Sequence, residues 1–152
     1  MEYEINNDTQ TILPLSEKTS KVIEKENQYV IQKSTFEVIE HSCEYFGSTY
    51  EGRKIGTKKL TGVTHKAPII VEESRKIIFF PTKSHDRVDC IWVNLNQIDT
   101  YHKKGNHESA IKFKSGDILE LDISYGSLAN QILRASRLKC LLEERIAKKE
   151  NN

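Results

Sequence analysis

Helical periodicity occurs in two widely separated stretches of this chain, and the segments between them are short and rich in β-branched and aromatic residues. The first stretch starts at Ser34 and Glu37, which have the spacing of a capping box, and its apolar residues recur every three or four positions. The second stretch, residues 128–146, carries one apolar stripe, and Ser124 or Ser127 can cap its start. Because helices and strands do not alternate, the sequence predicts an α+β fold and argues against a parallel α/β one.

The runs between the two helices are predicted to pair as antiparallel strands. Residues 68–71 and 76–80 flank a polar turn, and residues 110–113 and 118–123 flank a second turn that contains glycine. We therefore expect a single domain of antiparallel strands and hairpins with one internal helix and a long C-terminal helix. Residues 1–10 are predicted to be a flexible N-terminus, and residues 11–149 the folded domain.

Composition excludes several classes of protein. No stretch of 18 apolar residues is present, so no membrane-spanning segment is predicted, and the acidic N-terminus is unlike a secretory signal. The 3 cysteines are far apart and form no CxxC pair. This pattern favours free thiols in a reducing compartment, and we expect the protein to be cytoplasmic.

Charge is distributed unevenly along the chain, although the net charge is only +1. Residues 1–51 hold 4 lysines and 10 acidic residues, a net charge of −6, whereas residues 52–152 carry a net charge of +7. Such a chain can present a basic face to a polyanion. The alternative is that mixed charge only keeps the surface soluble.

Residues 47–66 are the most distinctive segment, because basic residues and glycines are interleaved there and no acidic residue occurs between Gly52 and Lys66. The glycines predict a hinged, exposed loop whose backbone can approach a phosphate closely. The alternative is a solvated loop with ordinary turn glycines.

Several pieces of sequence, in order, resemble the ComK family. The longest is SCEYFGSTYEGRK at residues 42–54. It is followed by THKAPI at 64–69, FPT at 80–82, CIW at 90–92 and ISY at 123–125, with Ser127 and Gln131 close behind. The resemblance covers roughly residues 20–146.

This resemblance implies a positive transcriptional regulator of DNA-uptake genes. Members of the family bind A/T-rich boxes in double-stranded DNA, largely through the minor groove, as oligomers on paired sites. They are not enzymes, need no cofactor or metal, and are controlled by an adaptor–protease system. Known members continue beyond the last helix, whereas this chain stops at Asn152, which puts capture by the adaptor in doubt. The alternative function is a short paralogue that acts by protein–protein interaction without activating transcription.

The resemblance and the charge pattern together suggest specific contacts with DNA. Arg53 is the leading candidate for insertion into a narrow minor groove, because a guanidinium is planar and weakly hydrated. Lys54, Lys58 and Lys59 are candidates for phosphate contacts. His65 and Lys66 are candidates for contacts with sugar or phosphate.

Other chemistries have weaker support in the sequence. The scattered histidines and cysteines lack the paired spacing of a zinc site. His85, Asp86 and Asp89 are the candidates for a metal-dependent nuclease, although they lie in a segment predicted to be an exposed turn. Residues 47–54 have a lysine where a P-loop requires serine or threonine.

Overall fold

The computed structural model describes residues 1–151 and confirms the α+β class, with antiparallel strands and a long C-terminal helix. Its elements, in order, are β1 (Thr9–Ser16), β2 (Thr19–Glu24), β3 (Gln28–Ile31), α1 (Thr35–Tyr45), α2 (Tyr50–Thr61), β4 (Ile69–Glu72), β5 (Ile77–Pro81), β6 (Trp92–Asn94), β7 (Ile98–Gly105), β8 (Glu108–Phe113), β9 (Ile118–Leu121) and α3 (Tyr125–Glu150). A short 3₁₀ turn, Leu95–Gln97, joins β6 to β7. Over the described residues, none of the helices has the length and apolar character needed to cross a bilayer.

The strands form two antiparallel sheets. The larger sheet has six strands in the order β3-β2-β1-β6-β5-β4, and the smaller has three in the order β7-β8-β9. The hairpins predicted at residues 68–80 and 110–123 are β4–β5 and β8–β9. In β8–β9, Ile111 faces Leu119 across the ladder, as the alternation of apolar residues predicts.

The part of the six-stranded sheet formed by β4, β5 and β6 is buried on both faces. One face carries Phe79 and Trp92 and packs against α1 and the N-terminal segment. The opposite face carries Phe80 and Val93 and packs against α3 and the small sheet. Because successive residues of a strand point to opposite faces, neighbouring side chains in β5 and β6 enter different parts of the core.

The two helices predicted from periodicity begin where the sequence indicates. Ser34 caps α1 by accepting a hydrogen bond from the Glu37 amide, and the Glu37 side chain completes the capping box. Ser124 caps α3 by accepting from the Ser127 amide. The apolar stripe of α3 lies in the core and comprises Leu128, Ile132, Ala135, Leu138 and Leu142.

The structure corrects the expectation of a flexible segment at residues 1–10. Tyr3 and Ile5 are buried beside α1, and the Ile5 amide donates to Ser42 Oγ at 3.1 Å. Thr9 and Gln10 already belong to β1. The predicted flexibility rested on the polar composition, but Tyr3 and Ile5 alternate with polar residues and place two apolar side chains on one face.

A second correction concerns residues 47–66, which were predicted to be a loop. Most of this segment is helix α2, so the chain has two internal helices and not one. Tyr50 and Thr57 form the buried face of α2, and the Thr57 hydroxyl donates a hydrogen bond to the Pro68 carbonyl at 2.7 Å. Tertiary packing therefore outweighs the low helix propensity of its glycines.

Candidate nucleic-acid interface

Helix α2 is defined by clear caps at both ends. Thr49 Oγ1 accepts a hydrogen bond from the Gly52 amide at 2.9 Å, and Gly62 ends the helix in the left-handed conformation, with φ of 80°. Gly62 is therefore the glycine that the backbone requires, whereas Gly52 and Gly56 lie within the helix. Their amides are not arranged as a phosphate-binding loop, contrary to the sequence-based prediction.

Arg53 lies on the inner side of α2. Its guanidinium donates to Glu73 Oε1 at 2.9 Å, and only 16% of the side chain is exposed. Arg145 from the end of α3 approaches the same carboxylate at 3.5 Å. Arg53 thus ties α2 to the turn between β4 and β5, a position that does not support the prediction that it enters a DNA groove.

Lys54 and Lys58 are one helical turn apart on the outer side of α2. Both line a shallow cavity of about 270 Å³, together with Glu51, Ile55 and Thr64. Lys54 also lines a second cavity of about 230 Å³, whose wall includes His65, Lys66 and His85. The structure therefore brings Lys54, Lys58, His65 and Lys66 to one side of the molecule.

The loop that follows α2 is held in place by α3. Gln131 is buried, and its amide donates to the carbonyls of Lys66 at 2.9 Å and Pro81 at 2.8 Å. Arg134 donates to the His65 carbonyl at 3.1 Å. Lys66 adopts φ of 50°, which is uncommon outside glycine, and these contacts hold that conformation.

We call Lys54, Lys58, His65, Lys66 and Arg134 the basic surface. Lys59 is exposed but is not among the residues that line the two cavities. Glu51 and Asp86 also border the cavities and reduce the net positive charge there. The surface is open and shallow, a shape that fits a large anionic partner better than an enclosed small molecule.

Sequence reasoning missed the contributions of Gln131 and Arg134 to this surface. The charge pattern of the last helix favours a solvated face, because its cations do not follow one stripe and are interspersed with glutamates. Their proximity to residues 65 and 66 depends on how α3 crosses the large sheet. No local pattern encodes that crossing, although Gln131 was among the residues of the family resemblance.

A separate charge network lies in the loop between β5 and β6. Lys83 Nζ is 2.7 Å from Asp89 Oδ2 and 2.8 Å from Asp122 Oδ2, and Arg87 also pairs with Asp89. Hydrogen bonds from Arg87 and Lys83 hold the pKa of the Asp89 carboxyl far below its usual range. Asp89 is thus neutralised by cations, and His85 packs against the rings of Phe36 and Tyr50, which also contact each other. These residues do not converge as the nuclease hypothesis requires.

Two of the three cysteines, Cys43 and Cys90, are structural, whereas Cys140 is exposed. Cys43 and Cys90 lie in the core, and burial raises the pKa of their thiols to about 12 and about 11. A thiol with a raised pKa is a poor nucleophile and a poor metal ligand at neutral pH. Cys43 lies on the buried face of α1.

These observations define a class: a single α+β domain whose exposed basic surface is built from a helix, a loop and a residue of the C-terminal helix. Comparison with known proteins then identifies the family. The family model described as ComK protein matches residues 1–147. The chain therefore belongs to the ComK family, and the resemblance stated from its motifs is confirmed.

The chain is also similar to a curated relative described as "Competence transcription factor" from Bacillus subtilis (strain 168). The two are 35% identical over 147 residues, which is 95% of this chain and 77% of that protein. No solved structure matches this chain.

Proposed function

We propose that this chain is a competence transcription regulator that binds A/T-rich double-stranded DNA through the basic surface. The observation that carries the proposal is the convergence of Lys54, Lys58, His65 and Lys66 around shared cavities on one exposed side. Family membership and the similarity to a competence transcription factor support the same function.

Phosphate neutralisation supplies most of the affinity in this proposal. Lys54 and Lys58 project from a helix, and the loop bearing His65 and Lys66 is fixed by hydrogen bonds from α3. Cations on rigid elements lose less conformational entropy on binding than cations on a mobile loop. If about five phosphates are neutralised, the logarithm of the association constant falls against the logarithm of salt concentration with a slope of roughly −4 to −5.

In this proposal, Arg134 enters the minor groove of the DNA, in place of Arg53, which was the candidate from the sequence. It is the arginine of the basic surface, and one of its nitrogens is already anchored on the His65 carbonyl. The remaining guanidinium donors are available for a narrow A/T-rich minor groove, where negative potential is enhanced. Lys59 is retained as a peripheral phosphate contact.

The proposal includes action in the cytoplasm as a homo-oligomer on paired sites. Two basic surfaces related by symmetry would double the number of neutralised phosphates and steepen the salt dependence. Sedimentation with and without a fragment carrying two A/T boxes measures this. A single copy bound per fragment at saturation would contradict the oligomer.

The decisive experiment is a binding titration of the purified chain on an A/T-rich duplex, with a G/C-rich duplex of equal length as competitor. The double substitution Lys54→Ala and Lys58→Ala should weaken binding and reduce the magnitude of the salt slope by about 2. Lys148→Ala with Lys149→Ala is the matched control, since it also removes two exposed lysines from a helix. Equal effects of the two pairs would contradict the proposed interface.

The alternative function is a short regulator that acts through protein–protein interaction, either with a full-length regulator or with a protease adaptor. It predicts that the wild-type chain does not distinguish A/T-rich from G/C-rich duplexes. The same titration therefore separates the two functions.

A further inference from the structure

The hairpin formed by β7 and β8 ends in a basic tip that the proposed interface does not use. Residues 102–107 read HKKGNH and contain two lysines, two histidines and no acidic residue. Every residue of this tip except Gly105 is exposed. The ladder is irregular between Lys103 and Gly105, so Lys104 sits at a bulge next to the turn.

This tip projects beyond the first residue of α3. Tyr101 stacks on Tyr125 with ring centroids 5.7 Å apart, and further along α3 Lys139 Nζ contacts Asn96 Oδ1 at 3.0 Å. Helix α3 therefore runs antiparallel to β7, from Tyr101 toward the start of that strand. The four residues that follow Tyr101, residues 102–105, extend about 13 Å in the opposite direction, at the usual rise of a strand.

A chain of contacts links the base of the hairpin to the basic surface. Ser109, beside the tip in β8, donates to the Ile123 carbonyl at 2.8 Å. Asp122 pairs with Lys83, and Lys83 directly precedes Ser84, His85 and Asp86 in the chain. Those three residues form one wall of the cavity that Lys54, His65 and Lys66 also line. The base of the hairpin and the basic surface are therefore joined through Asp122, Lys83 and the loop that follows Lys83.

The charges on the tip are mostly uncompensated within the hairpin. Lys104 Nζ lies 3.4 Å from Glu120 Oε1, and both side chains are well exposed, so this pair is weak. Lys103 has no ion pair among the described residues. Glu108 closes the hairpin opposite Gly105 and is the acidic group closest to the tip in the ladder.

We propose that this hairpin tip is a second DNA-contacting element, whose lysines and histidines contact the sugar–phosphate backbone beside the segment bound by the basic surface. The inference rests on the proposed function, because the ligand is the same duplex. The geometry adds a second point of contact, so that one chain covers more of the duplex than the basic surface alone.

The test compares two double substitutions in the same small sheet. Lys103→Ala with Lys104→Ala removes the tip lysines, and Lys112→Ala with Lys114→Ala removes two exposed lysines from β8 and the turn at its far end. We expect the tip variant to bind an A/T-rich duplex several-fold more weakly, with the magnitude of the salt slope reduced by about 1 to 2. Its hydroxyl-radical footprint should be shorter on one side, and the control pair should leave footprint and slope unchanged.

Circular dichroism and thermal unfolding establish that both variants remain folded. A tip variant with the same slope and footprint as the wild-type chain would overturn the inference while leaving the proposed function intact. Failure of the wild-type chain to bind the A/T-rich duplex would overturn both. Charge reversal by Lys103→Glu should weaken binding more than Lys103→Ala, and equal affinities of these two variants would also count against the tip.

Discussion

Two adjacent basic residues, Arg53 and Lys54, have opposite environments in this protein. Arg53 is mostly buried against Glu73, whereas Lys54 borders the two cavities of the basic surface. Neighbours in a helix point about 100° apart, so two residues that look equivalent in sequence contact different parts of the protein. Assigning both to DNA, as the charge pattern suggests, ignores this geometry.

Substitution of the two residues should therefore have different effects. Arg53→Ala should lower the free energy of unfolding by about 1–2 kcal/mol, because packing of the stem and the pair with Glu73 are lost. Lys54→Ala should leave stability nearly unchanged and weaken DNA binding. Chemical denaturation and duplex titration measure the two quantities, and Arg53→Met serves as a control that keeps the apolar stem. Weaker DNA binding by a fully folded Arg53→Ala variant would restore the original assignment.

At the scale of single elements, α2 shows how tertiary contacts override local preference. Glycine is a poor helix former, and α2 contains Gly52 and Gly56. The helix nevertheless forms, because Thr49 caps its start and Tyr50 and Thr57 are buried. Thr49 and Gly62 are residue types that cap helices. Whether they cap a helix here depends on burial of the face that carries Tyr50 and Thr57.

The glycines of α2 should respond differently to substitution by alanine. A Cβ at Gly56 would have no atom within 4 Å, so Gly56→Ala should stabilise the protein by about 0.5–1 kcal/mol. Gly62 has a positive φ of 80°, so Gly62→Ala should destabilise it by a similar or larger amount. Thermal unfolding measures both changes. Stabilisation by both substitutions would indicate that the segment does not end as a helix at Gly62.

At the scale of the whole molecule, the large sheet organises the core, because β4, β5 and β6 are buried on both faces. The N-terminal segment and α1 cover one face, and α3 with the small sheet covers the other. The same arrangement positions the loop after α2, because Gln131 of α3 bonds to the carbonyls of Lys66 and Pro81. Folding of the core and display of the basic surface are thus connected through α3.

The contribution of the N-terminal segment to this core is testable. Ile5 is buried to 1% exposure, so Ile5→Ala should lower the free energy of unfolding by about 2–4 kcal/mol. Leu15, which is 54% exposed, provides a matched control, and Leu15→Ala should have an effect within about 0.5 kcal/mol. Urea denaturation distinguishes the two. Equal and small effects would indicate that residues 1–10 are flexible after all.

The amino-acid sequence by itself determined the α+β class, the hairpins, the capping box that starts α1, the serine that caps α3, and the family. These features depend on period, turn chemistry and motif order, which are local properties of the chain. Only the tertiary structure decided that residues 50–61 are helical, that Arg53 faces inward and that Arg134 joins His65 and Lys66. Those outcomes depend on which surfaces are buried against each other. Burial of a few apolar residues contributes more free energy than the low helix propensity of a single glycine costs.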